Sequence, residues 1–268
     1  MIGAIAGDII GSLHEGMETK TRRFDLFTKL NNFTDDTVLT VAVAEWLMTG
    51  ADLVDVLHEY HRLFPFVGYG GNYKRWAVTN SREPYNSYGN GSAMRVSPVA
   101  WAFDSLEEVL EWARRSAEVT HNHPEGIRGA QATAGALFIA RTGGSKEDII
   151  SFCMAEPIRY RVDRSVHLIR RGYTMDVSCQ GSVPEAISCM LEATSYEDAV
   201  RNAVSLGGDA DTQACIAGSI AEGLWAVPDE ISATAMTYLD PYLVSVVTDF
   251  IRTFVSPATC TGPEPVKP

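Results

Sequence analysis

The sequence predicts an all-α protein, because its apolar residues recur at helical spacing, its helix-start signals repeat, and strand-like alternation is scarce. The nearest strand candidate is the segment 95–99, and Pro98 weakens it. The apolar faces that share a helical period are Leu39, Val43, Trp46 and Leu47; Leu53, Val54, Leu57, Tyr60, His61 and Phe64; and Leu243, Val246, Val247, Phe250, Ile251 and Phe254.

Helix starts are predicted where a serine stands three positions before an acidic residue, which is the spacing of a capping box. The four serines are Ser105, Ser145, Ser182 and Ser195, and Pro184 suits the first turn after Ser182. Further helices are expected at 72–78, 196–206 and 214–226. The Gly-, Asn- and Tyr-rich stretch 68–91 predicts long surface loops around the first of these, and loops of that length are often functional.

Length and charge restrict the function. The chain has 268 residues and a formal net charge of −12, which argues against nucleic acid or an anionic membrane as a general partner. No apolar run reaches the ~18 residues of a membrane span, and the apolar N-terminus lacks a basic segment before it. Five scattered cysteines favour a reducing compartment, so a cytoplasmic location is expected. The simplest organisation is one domain at 1–258 followed by a flexible tail at 259–268.

Two short acidic clusters carry the strongest functional signal. Thr34-Asp35-Asp36-Thr37 and Gly207-Gly208-Asp209-Ala210-Asp211-Thr212 each precede an apolar helical segment. A helix N-cap explains one or two residues of each cluster, but it does not explain paired carboxylates with adjacent hydroxyls. If the fold brings the clusters together, they form an oxygen-only site. The absence of histidine and cysteine from both clusters then favours Mg²⁺ or Mn²⁺ over Zn²⁺.

One alternative concerns the second cluster alone. Asp209-Ala210-Asp211-Thr212 also resembles the nucleophile motif of haloacid-dehalogenase-type phosphatases. That motif should follow a buried strand, whereas the preceding segment 196–206 has helical periodicity, so this interpretation is disfavoured.

Three further segments, together with the clusters, resemble one family. They are Gly7-Asp8-Ile9-Ile10-Gly11-Ser12-Leu13-His14-Glu15, then Gly89-Asn90-Gly91-Ser92-Ala93-Met94-Arg95-Val96, then Thr120-His121-Asn122-His123-Pro124. In this order the chain looks like the ADP-ribosylglycohydrolase family, specifically its bacterial branch of dinitrogenase-reductase-activating glycohydrolases, over roughly residues 1–255. The resemblance implies a compact, orthogonal all-α domain with a dinuclear metal cleft.

The resemblance also implies roles for the acidic residues. Two divalent cations, Mg²⁺ or Mn²⁺, are expected, and Asp211 is the expected bridging carboxylate. Glu15 matches a glutamate on a mobile loop that closes over the site, and Asp8 is expected to support the site or cap a helix. The implied metal ligands are Thr34, Asp35, Asp36, Asp209, Asp211 and Thr212, and the implied catalytic residues are Glu15, Asp35, Asp36 and Asp211.

The substrate-binding residues that the resemblance implies are Gly89, Asn90, Gly91, Ser92, Met94, His121, Gly207 and Gly208. An ordinary Asn-Gly turn and a structural histidine are the competing interpretations, and the choice between His121 and His123 stays open. Arg95 pairs either with a diphosphate or with carboxylates such as Asp8. Gln180 and Ser182 are candidates for the leaving-group side of the cleft.

The implied activity is hydrolysis of the glycosidic bond at the anomeric carbon of ADP-ribose, attached to a protein side chain (arginine or serine) or to a small molecule. ADP-ribose is the expected product. The alternatives are an Mg²⁺-dependent phosphohydrolase and an ADP-ribose-binding protein without catalysis. All six implied ligand positions are filled, which favours activity.

Overall fold

The computed structural model describes residues 1–255, and these residues fold into helices joined by loops, which confirms the all-α prediction. They contain no extended strand, only isolated bridges between Met17 and Gly208 and between Gly89 and Ser178. The helices are α1 (Ile2–Ser12), α2 (Asp35–Thr49), α3 (Leu53–Leu63), α4 (Gly71–Val78), α5 (Gly91–Met94), α6 (Ser97–Ala102), α7 (Leu106–Glu118), α8 (Pro124–Arg141), α9 (Lys146–Met154), α10 (Val166–Gly172), α11 (Cys179–Glu192), α12 (Tyr196–Val204), α13 (Ala210–Trp225), α14 (Asp229–Met236) and α15 (Pro241–Phe250), followed by a π-helical turn at Ile251–Val255.

The helix α13 is the centre of the fold. Every residue from 210 to 221 is buried, because α1, α8, α11 and α12 pack around it. The predicted tail at 259–268 lies outside the described residues. Within residues 1–255, no helix is both long and apolar enough to cross a bilayer.

Glycines bring α1 unusually close to α13. A Cβ at Gly7 would lie 2.1 Å from the carbonyl oxygen of Ala214, and one at Gly3 would lie 2.4 Å from that of Gly218. Real Cβ atoms do not approach backbone oxygens so closely, so only glycine permits this contact. The contact matters for the site because Asp8 lies on α1 and Asp211 lies on α13.

Most predicted helix starts are confirmed. The hydroxyls of Ser105, Ser145 and Ser195 each accept a hydrogen bond from the backbone N–H three residues later. The predicted start at Ser182 is wrong: α11 begins at Cys179 with Ser178 as its N-cap, and Pro184 lies inside the helix. Ser182 lies inside the first turns of α11, where Ser178 already supplies the cap, and its hydroxyl donates to the Ser178 carbonyl and accepts from the side-chain amide of Asn90.

The strand candidate at 95–99 is also wrong. The chain there passes from α5 into α6, and Pro98 occupies the first turn of α6. Proline is favourable at that position because its fixed φ suits a helix start, where the missing N–H is not needed.

Candidate metal centre and adjoining cavity

The first acidic cluster forms the N-terminus of α2. Thr34 is the N-cap, and its hydroxyl accepts from the Asp36 backbone N–H. Asp8 of α1 accepts from the Thr34 N–H at 3.0 Å, from the Thr34 hydroxyl at 2.7 Å and from the Thr37 N–H at 3.0 Å. It also accepts from the Thr37 hydroxyl. Asp8 therefore caps the N-terminus of α2 and links α2 to α1, in agreement with the capping role expected from the sequence.

The second cluster forms the start of α13 and lies against the first. The Thr212 hydroxyl lies 3.2 Å from Asp36 Oδ2, although the two residues are 176 positions apart. Asp209 accepts at 2.6 Å from the side-chain amide of Asn90. Asp211 Oδ1 accepts at 2.9 Å from the Thr212 backbone N–H. The two acidic clusters thus share one site.

Two groups of carboxylates converge there. Asp8, Asp36 and Asp211 each offer an oxygen within 4.8 Å of the others, and so do Glu15, Asp209 and Asp211. Asp211 belongs to both groups, and this position suits the bridging role that the sequence analysis assigned to it.

Burial and mutual repulsion raise the pKa values of these carboxyls. Burial is the main cause for Asp8 and Asp209, and it raises the pKa of each to about 6. Burial, and after it the charge of neighbouring carboxylates, raises the pKa of Asp35, Asp36 and Asp211 well above the ordinary value.

The donor set fits hard divalent cations. Among the described residues, no lysine or arginine forms an ion pair with Asp8 or with the aspartates of the two clusters. Asp36 Oδ1 is buried and has no hydrogen-bond partner among them. Buried carboxylates without positive neighbours are costly unless a cation neutralises them. Every available donor is oxygen, which is the ligand set of Mg²⁺ and Mn²⁺.

A cavity of about 320 Å³ adjoins the acidic site. This volume lies at the lower end of the range for small-molecule sites. Of the residues implied by the sequence to act on substrate or metal, those that line the cavity are Glu15, Asp35, Asp36, Gly89, Asn90, Gly91, Met94, His121, Asp209, Asp211 and Thr212.

Other predicted residues do not line the cavity. Ser92 is buried with its hydroxyl donating to the Gly126 carbonyl. Gly207 and Gly208 both have positive φ and directly precede Asp209, and the Gly208 N–H donates to the Met17 carbonyl. Thr34 also lies outside the cavity lining, beside Asp36.

The two candidates for the leaving-group side are also absent from the lining. Gln180 is exposed and Ser182 is buried within α11. The residues of that region that do line the cavity are Met175 and Val177, both about half exposed.

The structure places the two candidate substrate-binding histidines in different positions. His121 lines the cavity, whereas His123 is the N-cap of α8, and its ring nitrogen accepts from the Glu125 N–H. Arg95 also lines the cavity and does not pair with Asp8. It donates to the Ser116 carbonyl and to the Thr120 hydroxyl.

Several residues that line the cavity were not predicted from the sequence. The loop and helix from Gly68 to Tyr73 contribute one wall, and Tyr85 and Ser87 contribute to another. They fall inside the stretch 68–91 whose composition marked it as functional, but composition could not say which side chains point inward. Met175 and Val177 lie a few positions before Gln180 and Ser182, and no local pattern marks their side chains as cavity-lining.

Comparison with known proteins identifies the family. The family model for ADP-ribosylglycohydrolase matches residues 1–236. The chain is 26% identical to the ADP-ribosylhydrolase ARH3 of Mus musculus, over 85% of this chain and 84% of that protein. It is also 26% identical to the ADP-ribosylarginine hydrolase Tri1 of Pseudomonas putida, over 60% of this chain and 42% of Tri1.

A solved structure extends the comparison to the fold. The structure titled ADP-ribosylglycohydrolase-related protein complex superposes with a TM-score of 0.69 at 25% sequence identity, and the match covers 94% of this chain and 96% of that one. The similarity in fold therefore extends over nearly the whole chain. Since the family model spans most of the sequence, the chain belongs to the ADP-ribosylglycohydrolase family.

Proposed function

We propose that this protein uses two divalent cations to hydrolyse the glycosidic bond at the anomeric carbon of ADP-ribose attached to a protein side chain or to a small molecule. The observation that carries the proposal is the convergence of both acidic clusters beside one cavity, with Asp211 common to both carboxylate groups. The leaving group of the proposed reaction is an arginine or serine side chain or a small molecule, and membership of the family favours an ADP-ribosylated substrate.

The positions of the residues suggest which of them would hold the cations. Thr34, Asp35 and Asp36 at the start of α2, and Asp209, Asp211 and Thr212 at the start of α13, would hold the cations. When bound, such cations neutralise the carboxylates, orient ribose hydroxyls and lower the pKa of water.

Glycosidic cleavage passes through a transition state that resembles an oxocarbenium ion. The carboxylates of the site suit this chemistry because they offset the charge of the cations beside the cavity, where positive charge develops on the ribose. Glu15 is exposed at the cavity edge, on the loop after α1, and from there its carboxylate can orient or deprotonate the attacking water.

The experiment that tests the proposal is a mass-spectrometric screen of ADP-ribosylated proteins, peptides and small molecules, with Mg²⁺ or Mn²⁺ and with EDTA as the metal-free control. We expect free ADP-ribose as the product. Release of phosphate or nucleotide would instead support a phosphohydrolase, and binding without product would support a binding protein.

A matched pair of variants links the activity to the site. Asp211→Asn removes one carboxylate from both groups and should reduce turnover at least about 100-fold while weakening Mg²⁺ binding. Glu59→Gln removes the same charge from the exposed side of α3 and should leave both unchanged. Full activity of Asp211→Asn in EDTA would rule out the two-cation mechanism.

A further inference from the structure

The side chain of His121 presents its two ring nitrogens to different partners. Nδ1 lies 2.8 Å from the hydroxyl oxygen of Thr120. Nε2 faces the glycine loop of the cavity: it lies 3.1 Å from the position that a Cβ would occupy at Gly91 and 3.7 Å from the same position at Gly89. Residues 1–255 provide no hydrogen-bond partner for Nε2. One nitrogen is thus held by the protein and the other is available to the cavity.

The partner of Nδ1 is itself held by a group that can only donate. Arg95 Nη2 donates to the Thr120 hydroxyl oxygen at 2.9 Å and to the Ser116 carbonyl at 2.7 Å. A guanidinium has no acceptor, so Thr120 must accept from Arg95. Its own hydroxyl hydrogen is then free for Nδ1. Tyr85 is a further neighbour of this hydroxyl.

We propose that Arg95 and Thr120 are positioning residues that hold His121 in the tautomer protonated at Nε2, so that this N–H donates to an oxygen of the ADP-ribose unit in the cavity. The inference rests on the proposed function for the identity of the acceptor. The geometric part of the inference does not depend on the acceptor: Arg95 occupies one lone pair of the Thr120 oxygen, and the Thr120 O–H is available to donate to Nδ1. A histidine must have one defined tautomer to act as a directional donor, and the tautomer is set by the hydrogen bond that its other nitrogen makes.

The charges and burial around His121 and Arg95 agree with the inference. Burial, and after it the charge of Arg95, hold the pKa of His121 well below its ordinary value, so the ring is neutral and carries a single N–H. Arg95 is fully buried, and its Nε and Nη1 have no partner among the described residues. An uncompensated guanidinium beside the cavity favours an anionic ligand group, such as the diphosphate of ADP-ribose.

The tautomer of His121 can be measured directly by NMR. Long-range proton–nitrogen correlation spectra of the ¹⁵N-labelled full-length protein show which nitrogen of each histidine is protonated. The chain has 6 histidines, and a His121→Asn variant identifies the signals of His121 by difference. We expect protonation at Nε2 in the unmodified protein and in Thr120→Ser, which keeps the hydroxyl. In Thr120→Val the tautomer should no longer be fixed.

Calorimetric titration with ADP-ribose in Mg²⁺ gives the second readout. Losing one directed hydrogen bond should weaken the affinity about tenfold in Thr120→Val, and Thr120→Ser should recover most of it. Arg95→Gln should change the tautomer in the same way as Thr120→Val if the variant folds.

Three results would overturn the inference: protonation at Nδ1 in the unmodified protein, an unchanged tautomer in Thr120→Val, or an unchanged affinity in that variant. The first requires no variant, so it decides even if Thr120→Val does not fold. Failure of the unmodified protein to bind ADP-ribose would count against the proposed function, while the spectrum would still decide the tautomer.

Discussion

The crowding of buried carboxylates predicts that the metal-free protein becomes less stable as the pH rises. Asp8 and Asp209 have a pKa of about 6 in the folded protein, against an ordinary value of 3.8. Between these two values the folded state binds a proton that the unfolded state has released. Stability therefore falls with rising pH until the folded pKa is passed. In a group whose pKa is raised by burial, the charged form is the destabilising one.

The magnitude follows from the two pKa values. Integrating the proton binding of one such carboxyl from pH 5 to pH 7 gives a loss of roughly 1 to 2 kcal/mol, and two carboxyls give about 3 kcal/mol. For a chain of this size, that loss corresponds to a decrease in Tm of about 6–12 °C. Asp35, Asp36 and Asp211 add to the effect in the same direction.

The assay is thermal unfolding in EDTA and in Mg²⁺ at several pH values. Mg²⁺ binds the deprotonated carboxylates, so the Tm difference between the two conditions should widen from pH 5 to pH 7. Asp211→Asn should flatten the dependence in EDTA, whereas Glu59→Gln, an exposed control, should not. A Tm in EDTA that stays level or rises over this range would refute the reasoning.

Two further predictions concern packing and turnover. Gly7→Ala places a Cβ 2.1 Å from the Ala214 carbonyl oxygen, so the two helices must separate, and the free energy of unfolding should fall by about 1–3 kcal/mol or more, with weaker Mg²⁺ binding. Denaturant unfolding measures this, and Gly172→Ala, whose Cβ would meet no atom within 4 Å, should be near neutral. Glu15→Gln should slow turnover more than it weakens ADP-ribose binding, as measured by steady-state kinetics beside calorimetry. A pure loss of affinity would make Glu15 a contact residue.

Local signals in the sequence were sufficient to predict most of the helices. Capping at Thr34, Ser105 and Ser195 depends on a side chain and a backbone N–H two or three residues away, so the pattern alone predicts it. The same rule failed at Ser182, because α11 starts four residues earlier with Ser178 as its cap. The first backbone N–H of that helix, at Cys179, donates to the Tyr88 carbonyl, and a tertiary contact of this kind leaves no local trace.

Arg95 shows the same limit at the candidate site. The sequence left it between a diphosphate and a carboxylate such as Asp8. In the structure it does not pair with Asp8, and it donates to the Ser116 carbonyl and the Thr120 hydroxyl. Which of these partners it meets depends on how α5 packs against α7 and α8, and no spacing rule contains that information. The roles of the candidate metal ligands and substrate residues stay predictions.

By itself, the sequence determined the helical class, the two acidic clusters at helix starts and the resemblance to the ADP-ribosylglycohydrolase family, because each depends on residue types at short spacing. Only the tertiary structure decided that the clusters meet. Thr212 lies within 3.2 Å of Asp36, 176 positions away in the sequence. Two contacts bring them together: glycines on α1 allow α1 to pack closely against α13, and Asp8 of α1 accepts hydrogen bonds from the start of α2. The physical reason is that carboxylates repel one another, so their convergence must be imposed by helix packing.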